Sequence, residues 1–594
     1  MAEAQMLQEL EMASQIMMAP PNVVTKEQRQ SAEQVLLNFR TTKTPYNLCR
    51  HILESTSVDY VLFQVACTLR EALIREWSFL QESDIISLRQ YLFQFILNRT
   101  NIAPFVRERL LQASVISSVQ ILVKIVTVKG SVNDFGQERT RIVSEVENLI
   151  VSGDAVRQHL GCSIIAAIMQ EYATTMKSCD VGLTWDTHFK VKKQFEATDL
   201  KRIFQFCVRA LGELVRVEEA NAQTRLIGMF ETVYEADNSP PLRLGQMWKD
   251  VILDEAVISL FFQVHWKVRE NQDLSHYSLV CLGQLATLSG TVVSDKDVQA
   301  QYITTYLTNF INFITNVEVL PWEALGIAQY LRKMLQHFSC SMLVTINGGE
   351  LFTQFVQQLT RLTSRFAEGA AQEESVCVED RRYMEAFDHL LEAWVSVLQG
   401  AHLYPADFCK QPSIDIFNTY LRCHLAPPDG TRGQGKPGDD SGDQDDQEIY
   451  ETDEPDRIRF REQLIIIGLI GRQVLGHTLQ VIARLLEERT ERLRNQLQKA
   501  AAQNYSISDS STTLSLFEDL HWLLLIAGHL VALESEGETA LISDDIMRHS
   551  IQQGASVDVD ASLRLLTTPG LTPGQLGVPL TSIDDTVRLV FWET

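Results

Sequence analysis

One stretch of the sequence has the glycine spacing of a phosphate-binding loop. The run Gly433-Gln434-Gly435-Lys436-Pro437-Gly438 matches G-x-G-x-x-G, a spacing that lets backbone amides approach a pyrophosphate. This chemistry needs a buried strand before the glycines and a helix after them, because the helix N-terminus holds the anion. Here the glycines follow no predicted strand, open no predicted helix and lie among acidic residues. The match therefore predicts a loop without nucleotide chemistry.

Two histidines near acidic side chains raise the question of a metal site. His521 and His529 share a predicted helix with Glu518 and Asp519, and imidazole and carboxylate groups are common metal ligands. Ligands on one helix face lie three or four residues apart, whereas these histidines are eight residues apart. We therefore expect structural histidines and no metal.

The sequence also lacks the motifs of several enzyme classes. It contains no G-x-x-x-x-G-K-[ST] phosphate loop, no H-E-x-x-H zinc motif and no G-x-S-x-G nucleophile elbow. The remaining Asp, Glu and Cys residues are scattered without a shared spacing. The sequence thus favours a binding protein over an enzyme, without a cofactor.

The elements that must position any site are paired amphipathic helices, and residues 27–98 show the pattern most clearly. Apolar side chains recur there at helical spacing in four segments, separated by Pro45, Ser55-Thr56-Ser57 and Ser83-Asp84. The stripes are Ala32, Val35, Leu36 and Phe39; Leu48, Ile52 and Leu53; Leu62, Val65, Ala66, Leu69 and Leu73; and Leu88, Tyr91, Leu92, Phe95 and Ile96. Each hairpin leaves apolar surface that the next hairpin must cover.

The same pairing continues along the chain at a spacing of roughly 40 to 50 residues, which is typical of HEAT-type repeats. The predicted fold class is therefore all-α: a HEAT-repeat α-solenoid, a right-handed superhelical stack of antiparallel helical hairpins. Residues 427–456 break the pattern, because they hold eleven Asp or Glu against Arg432 and Lys436 and have no aliphatic stripe. The predicted regions are 1–26, a capping helix; 27–98, the first repeats; 99–426, further repeats; 427–456, an acidic disordered loop; 457–566, more HEAT-type helices; and 567–594, a Pro/Gly-rich loop and tail.

The charge and cysteine content of the sequence limit the classes of binding partner and the cellular compartment that we expect. The net charge is −24, which argues against a nucleic-acid or anionic-membrane binder and suits either basic protein partners or solubility alone. The ten cysteines include no C-x-x-C and lie mostly in apolar stripes, which predicts buried, reduced thiols in the cytosol or nucleus. The apolar runs 464–475 and 522–533 are shorter than the roughly 20 residues of a membrane span, so we expect core helices and no membrane insertion.

Several motifs resemble the importin-β (karyopherin) superfamily of nuclear transport receptors, and within it the exportins. They are the runs 27–34, 49–54, 58–64, 75–77 and 88–89, and further along 383–388, 423–432, 486–489 and 518–522. The resemblance implies an export receptor that binds Ran-GTP and protein cargo, contacts nuclear pore proteins and shuttles between nucleus and cytoplasm. It implies the hypusine-bearing translation factor 5A and transcription regulators as cargo, with no direct nucleic-acid contact.

By the same resemblance, residues 27–98 are an importin-β N-terminal-like domain that contains the Ran-binding region. Its second helices, at about 46–54 and 85–98, are expected to meet Ran-GTP. The polar candidates on these helices are Arg50, Glu54, Arg89, Gln90 and Gln94. The alternative for each of them is an ordinary solvated helix surface.

The sequence departs from the family in two places. It passes from Asn221-Ala222-Gln223 almost directly to Gly228-Met229-Phe230-Glu231, where the family has about one further helical hairpin, and it ends near the middle of the family's length. Both departures imply a truncated or alternatively spliced form with impaired transport. The alternative function is a Ran-independent HEAT-repeat scaffold or adaptor.

Overall fold

The computed structural model describes most of the chain. The described residues are 2–20, 23–76, 137–152, 193–216, 241–376, 380–405, 407–433, 455–503, 511–533, 541–568 and 575–593, with isolated positions between 79 and 99 and between 157 and 189. Contacts divide the chain into two compact units, Met1–Ala236 and Asp237–Thr594. This division falls inside the predicted repeat region 99–426; the six regions themselves stay a prediction.

The first unit is helical throughout its described part. Its helices are α1 Ala2–Met18, α2 Lys26–Arg40, α3 Tyr46–Ser55, α4 Asp59–Glu76, α5 Gln137–Val151 and α6 Asp199–Arg216. Helix α1 packs against α2, α3 and α4, and α5 packs against α6. Helix α4 packs against both α2 and α3, and α1 covers all three.

Helix α2 shows why these residues form this element. Thr25 is its N-cap: the Thr25 hydroxyl accepts a hydrogen bond from the Gln28 amide, and the Gln28 side chain accepts one from the Thr25 amide. The predicted stripe is buried at Ala32, Leu36 and Phe39. These side chains join one core with α3 and α4.

The second unit carries most of the helices. They are α7 Glu255–Val268, α8 Gln272–Ala286, α9 Lys296–Thr315, α10 Pro321–His337, α11 Glu350–Val376, α12 Arg382–Gln399, α13 Lys410–His424, α14 Arg461–Arg472, α15 Leu475–Gln503, α16 Ser511–Val531, α17 Asp544–Gln553, α18 Val559–Thr567 and α19 Asp585–Glu593. Single-turn helices occur at Lys249–Ile252, Cys340–Leu343 and Asp456–Arg459. A two-residue antiparallel pairing, β1 Ala532–Leu533 with β2 Leu541–Ile542, was not predicted.

Helices of the second unit pack in two rows. In one row α7 contacts α9, α9 contacts α11 and α11 contacts α13; in the other α8 contacts α10, followed by α12, α14 and α16. Consecutive helices such as α7 and α8, or α11 and α12, also pack as hairpins. Each helix thus covers the apolar face of its neighbours in both directions, which is the repeat architecture that the sequence predicted.

The first residues of the predicted acidic loop are described by the structure, whereas residues 434–454 lie outside the described part. Residues 427–433 form an ordered turn after α13, in which the Thr431 amide donates to the Arg422 carbonyl at 2.8 Å and the Arg432 amide donates to the Leu425 carbonyl at 3.0 Å. A side chain at Gly430 would collide with the Leu425 backbone. Main-chain pairing therefore orders this turn although its composition is that of a loop.

A glycine lets α14 and α16 approach closely. A Cβ added at Gly468 would lie 2.2 Å from the His529 carbonyl oxygen, a backbone atom that cannot rotate away. We expect Gly468→Ala to lower the free energy of unfolding by about 3 kcal/mol, measured by urea denaturation. The control is Gly528→Ala on α16, where a Cβ meets nothing within 4 Å. That variant should gain up to about 1 kcal/mol from helix propensity; equal effects of both variants would contradict the close-approach explanation.

Candidate partner-binding sites

The surface predicted to meet Ran is partly described on α3. Arg50 and Glu54 lie one helical turn apart and both are at least half exposed, with Arg50 Nε 3.7 Å from Glu54 Oε1. The guanidinium carbon of Arg50 lies 4.1 Å from the centre of the Tyr91 ring, whose hydroxyl donates to the Arg50 carbonyl at 3.3 Å. The aromatic contact orients the cation without removing it from solvent.

The other three candidates, Arg89, Gln90 and Gln94, lie outside the described residues. Tyr91 was predicted only as part of an apolar stripe. It is half-buried, and burial and the Glu54 carboxylate raise its pKa, so it remains a neutral hydrogen-bond donor. No sequence spacing could show its contact with Arg50, because the two residues belong to different helical segments.

The histidines considered as metal ligands have separate partners. His521 Nε2 lies 3.2 Å from Asp456 Oδ2, and His529 Nδ1 donates to the Leu525 carbonyl at 2.9 Å. Among the residues that the structure describes, no group of three or more His, Cys, Asp and Glu side chains has the geometry to hold a metal ion. In the glycine motif, only Gly433 is described, and it adopts a left-handed φ of 77° at the end of the turn.

A buried cluster has the order of groups found in a catalytic triad. Ser278 Oγ lies 2.8 Å from His265 Nδ1, and His265 Nε2 lies 3.2 Å from Glu323 Oε1. All three side chains are at most 2% exposed, so a substrate cannot reach the hydroxyl. Glu323 also pairs with Arg269 at 2.6 Å. We interpret the cluster as a structural connection between α7, α8 and α10.

A cavity of about 500 Å³ lies between α11, α13, α14 and α16, next to the 427–433 turn. One wall is aromatic: the His424 ring lies 4.2 Å from Tyr420 and 4.0 Å from Trp522, and Trp522 lies 5.3 Å from Phe460, all between ring centroids. The carboxylates that line it are Glu368, Glu374, Asp456 and Glu518, and the cations are Arg365 and Arg432. We call it the aromatic–acidic cavity.

The Tyr420 hydroxyl in the aromatic–acidic cavity has no hydrogen-bond partner among the described residues. Tyr420 lines the cavity and is 1% exposed, and its hydroxyl makes no hydrogen bond to any residue that the structure describes. Burial, and then the Glu374 and Asp388 carboxylates, raise its pKa well above the usual value, so the hydroxyl remains a donor. A buried donor without an acceptor is costly unless something else pairs with it.

His424 in the cavity wall should make stability depend on pH. Burial and the Arg432 charge lower its pKa to about 4, although a hydrogen bond to the Tyr420 carbonyl and the Asp456 charge oppose the shift. Below pH 6.5 the unfolded chain takes up a proton that the folded protein refuses, so stability falls as the pH drops toward 4. Between pH 7.5 and 5.0 the loss should be about 2 kcal/mol.

The measurement compares urea unfolding of the wild type and His424→Phe at both pH values. The variant keeps a ring against Trp522 but cannot titrate, so it should lose about 2 kcal/mol less than the wild type. The comparison with the variant is needed because a second group contributes over the same pH range. Burial raises the pKa of Asp388 to about 6, so its contribution to stability is lost as the pH rises, which is opposite in sign to the effect of His424. Equal pH dependence of both proteins would show that His424 does not titrate as inferred.

Three segments that resemble the exportins meet beside this cavity. Arg489 on α15 donates through Nε to Asp519 Oδ2 at 2.8 Å and through Nη2 to Asp429 Oδ2 at 2.6 Å. Arg432 Nη2 donates to Asp519 Oδ1 at 2.7 Å. Arg489 and Asp519 are 1% and 2% exposed. We call Asp429, Arg432, Arg489 and Asp519 the Asp519 network.

The eight cysteines in the described part of the chain are free thiols. Burial raises the pKa of Cys281 to about 12, which makes its thiolate scarce at neutral pH.

Helix α16 is longer than the apolar run seen in the sequence: its 20 residues Thr512–Val531 would suffice, by length and composition, to cross a membrane. In the fold it buries Leu523, Ile526 and Leu530 against neighbouring helices, as the predicted core helix would.

Comparisons with known proteins agree with the motifs. A family model described as Exportin-4 matches residues 2–234 and 231–562. Exportin-4 of Dictyostelium discoideum is 22% identical over 590 residues, covering 86% of this chain and 49% of that protein. Exportin-7-A of Xenopus laevis is 19% identical over 572 residues, covering 92% and 47%. Ran-binding protein 17 of Homo sapiens is 20% identical over 340 residues, covering 54% and 30%.

The two rows of stacked helices define an all-α solenoid of the karyopherin type, and the predicted fold class is confirmed. The chain belongs to the exportin-4 family. It spans about half the length of the exportins it matches. The two matched segments of the family model meet at residues 231–234, close to the departure noted after Gln223.

Proposed function

We propose that this protein is a nuclear transport receptor that binds Ran-GTP and protein cargo for export through the nuclear pore, shuttling between nucleus and cytoplasm. The observation that carries the proposal is the exportin-4 family match over residues 2–562. Relatives named exportin and Ran-binding protein support it. Paired helical rows suit the task because they present extended surfaces to folded protein partners.

The first test is capture of Ran in its two nucleotide states. The immobilised full chain should retain Ran-GTP and not Ran-GDP. Capture of both states alike, or of neither, would refute the receptor proposal and favour the Ran-independent scaffold. Because linkage is reciprocal, a cargo whose affinity rises with Ran-GTP must raise the affinity for Ran-GTP by the same factor.

Arg50 should contribute directly to this capture. Arg50→Glu places a second carboxylate beside Glu54 and reverses the charge held over Tyr91. We expect about tenfold weaker Ran-GTP binding in biolayer interferometry, and a larger loss for the double variant with Arg89→Glu. The control is Arg216→Glu, a 77% exposed arginine outside the predicted surface. Unchanged binding by the double variant would refute the site while leaving the receptor proposal intact.

For cargo, we infer that a cationic side chain enters the aromatic–acidic cavity. Carboxylates and aromatic faces both attract cations, and this cavity presents both. Hypusine, which the resemblance implies, is such a side chain. Glu518→Gln removes the charge of one of the carboxylates that line the cavity, so it should bind hypusine-bearing factor 5A severalfold more weakly. Unchanged binding by this variant would count against the cavity as the cargo site.

A further inference from the structure

Arg432 attaches the turn after α13 to α16. Arg432 donates to the His424 carbonyl at 3.0 Å, to the Ser515 carbonyl at 2.9 Å and to Asp519 Oδ1 at 2.7 Å. The guanidinium is therefore held on three sides. It also lines the aromatic–acidic cavity, with Nη1 3.9 Å from Glu518 Oε1.

Asp519 has a second cationic partner that lies away from the cavity. Its Oδ2 accepts from Arg489 Nε, and its Oδ1 also accepts from the Ala426 amide at 2.9 Å. Arg489 is buried and is not among the residues that line the cavity. Asp519, held by Arg489, thus supports the Arg432 guanidinium from the side away from the cavity and balances its positive charge.

The charge of Arg432 matters because the other groups that line the cavity are mostly paired. Arg365 lies 3.3 Å from Glu318, Glu368 lies against Arg422, Glu374 lies 3.1 Å from Arg459, and Asp456 lies 3.2 Å from His521. Arg432 faces this set together with Glu518. Whether the site attracts or repels a cation then depends on how completely Asp519 compensates Arg432.

We propose that Arg432 determines the charge specificity of the aromatic–acidic cavity, and that Asp519, supported by Arg489, is the positioning residue that holds and neutralises it. This rests on the proposed entry of a cationic side chain into the cavity. With Asp519 paired to Arg432, the site accepts a cation. Without that carboxylate, Arg432 contributes an uncompensated positive charge at the wall and the preference moves toward anions.

The experiment measures two probes by calorimetry on the full chain: N-acetyl-lysine amide as the cation and N-acetyl-glutamate amide as the anion. Asp519→Asn should bind the cation about tenfold more weakly and the anion more tightly than the wild type. Arg432→Met leaves Asp519 paired with Arg489, and should bind the cation at least as well as the wild type. The double variant should recover the cation affinity that Asp519→Asn loses, which mere damage to the fold could not produce.

Thermal melting of each variant accompanies the titrations, and Glu488→Gln is the matched control because Glu488 borders Arg489 at 4.0 Å without touching Arg432. Weaker cation binding by Arg432→Met would overturn the inference even if Asp519→Asn did not fold. So would a double variant as weak as Asp519→Asn. A wild type that binds neither probe would overturn the cation cavity itself, and the inference with it.

Discussion

Replacing Arg489 by Met should lower the free energy of unfolding by about 3–5 kcal/mol, because it removes one partner of a buried ion pair and leaves carboxylates behind. Arg489 is almost fully buried between Asp429 and Asp519, at 2.6 and 2.8 Å. Asp519 keeps Arg432, but Asp429 loses the only ion pair described for it. The measurement is urea unfolding followed by circular dichroism at pH 7.

Arg484 on the same helix provides the control for this variant. It pairs with Glu488 at 2.9 Å, one turn away, and is about half exposed. Arg484→Met removes an arginine of equal size from an exposed pair, and should cost about 0.5 kcal/mol or less. If both variants lost the same stability, burial of the Asp519 network would not be the cause.

Replacing Glu323 by Gln should cost about 2–4 kcal/mol, the second large effect. Glu323 is fully buried and accepts from both Arg269 and the Leu320 amide, besides its contact with His265. Burial alone would raise its pKa, but the contacts with His265 and Arg269 outweigh burial and lower the pKa below its usual 4.5. The neutral amide keeps the shape and loses the charge that these partners need.

The lowered pKa of Glu323 makes its contribution to stability depend on pH. Its contribution is fully present above pH 4.5 and is lost as pH falls through the lower folded-state value, because protonation then occurs in the folded protein as well. In Glu323→Gln, the free energy of unfolding should therefore fall less steeply as the pH drops below 4.5; we call this part of the stability curve its acid limb. The control, Glu392→Gln, alters a half-exposed pair with Arg332 at 2.9 Å and should leave that limb unchanged. Parallel acid limbs for all three proteins would contradict this assignment.

The helical stripes could be predicted from sequence because each depends on spacing within a single helix. Ala32, Leu36 and Phe39 are buried as expected. Arg489 could not be predicted: it lies in a charged stretch of α15 that suggests solvent exposure, and its partners come from residues 30 and 60 positions away. Only the packing of distant segments shows which charges are buried.

The candidate sites likewise include residues that the sequence indicated and residues that it could not. Arg50 and Glu54 were placed by resemblance, and the structure describes them on the exposed side of α3. Their role and that of Arg89, Gln90 and Gln94 stay predictions. Tyr420 escaped notice because an aromatic residue in a helical stripe looks like ordinary core. Its unpaired hydroxyl is visible only once the surrounding side chains are placed.

Helix α16 has one more consequence. It holds Arg432 through Ser515 and Asp519, and it holds Asp456 through His521. Arg432 and Asp456, which lie on either side of residues 434–454, are therefore both attached to the same helix. We expect these two contacts to keep α13, α14 and α16 packed together when a fluorescent protein or a purification tag is inserted between Arg432 and Asp456.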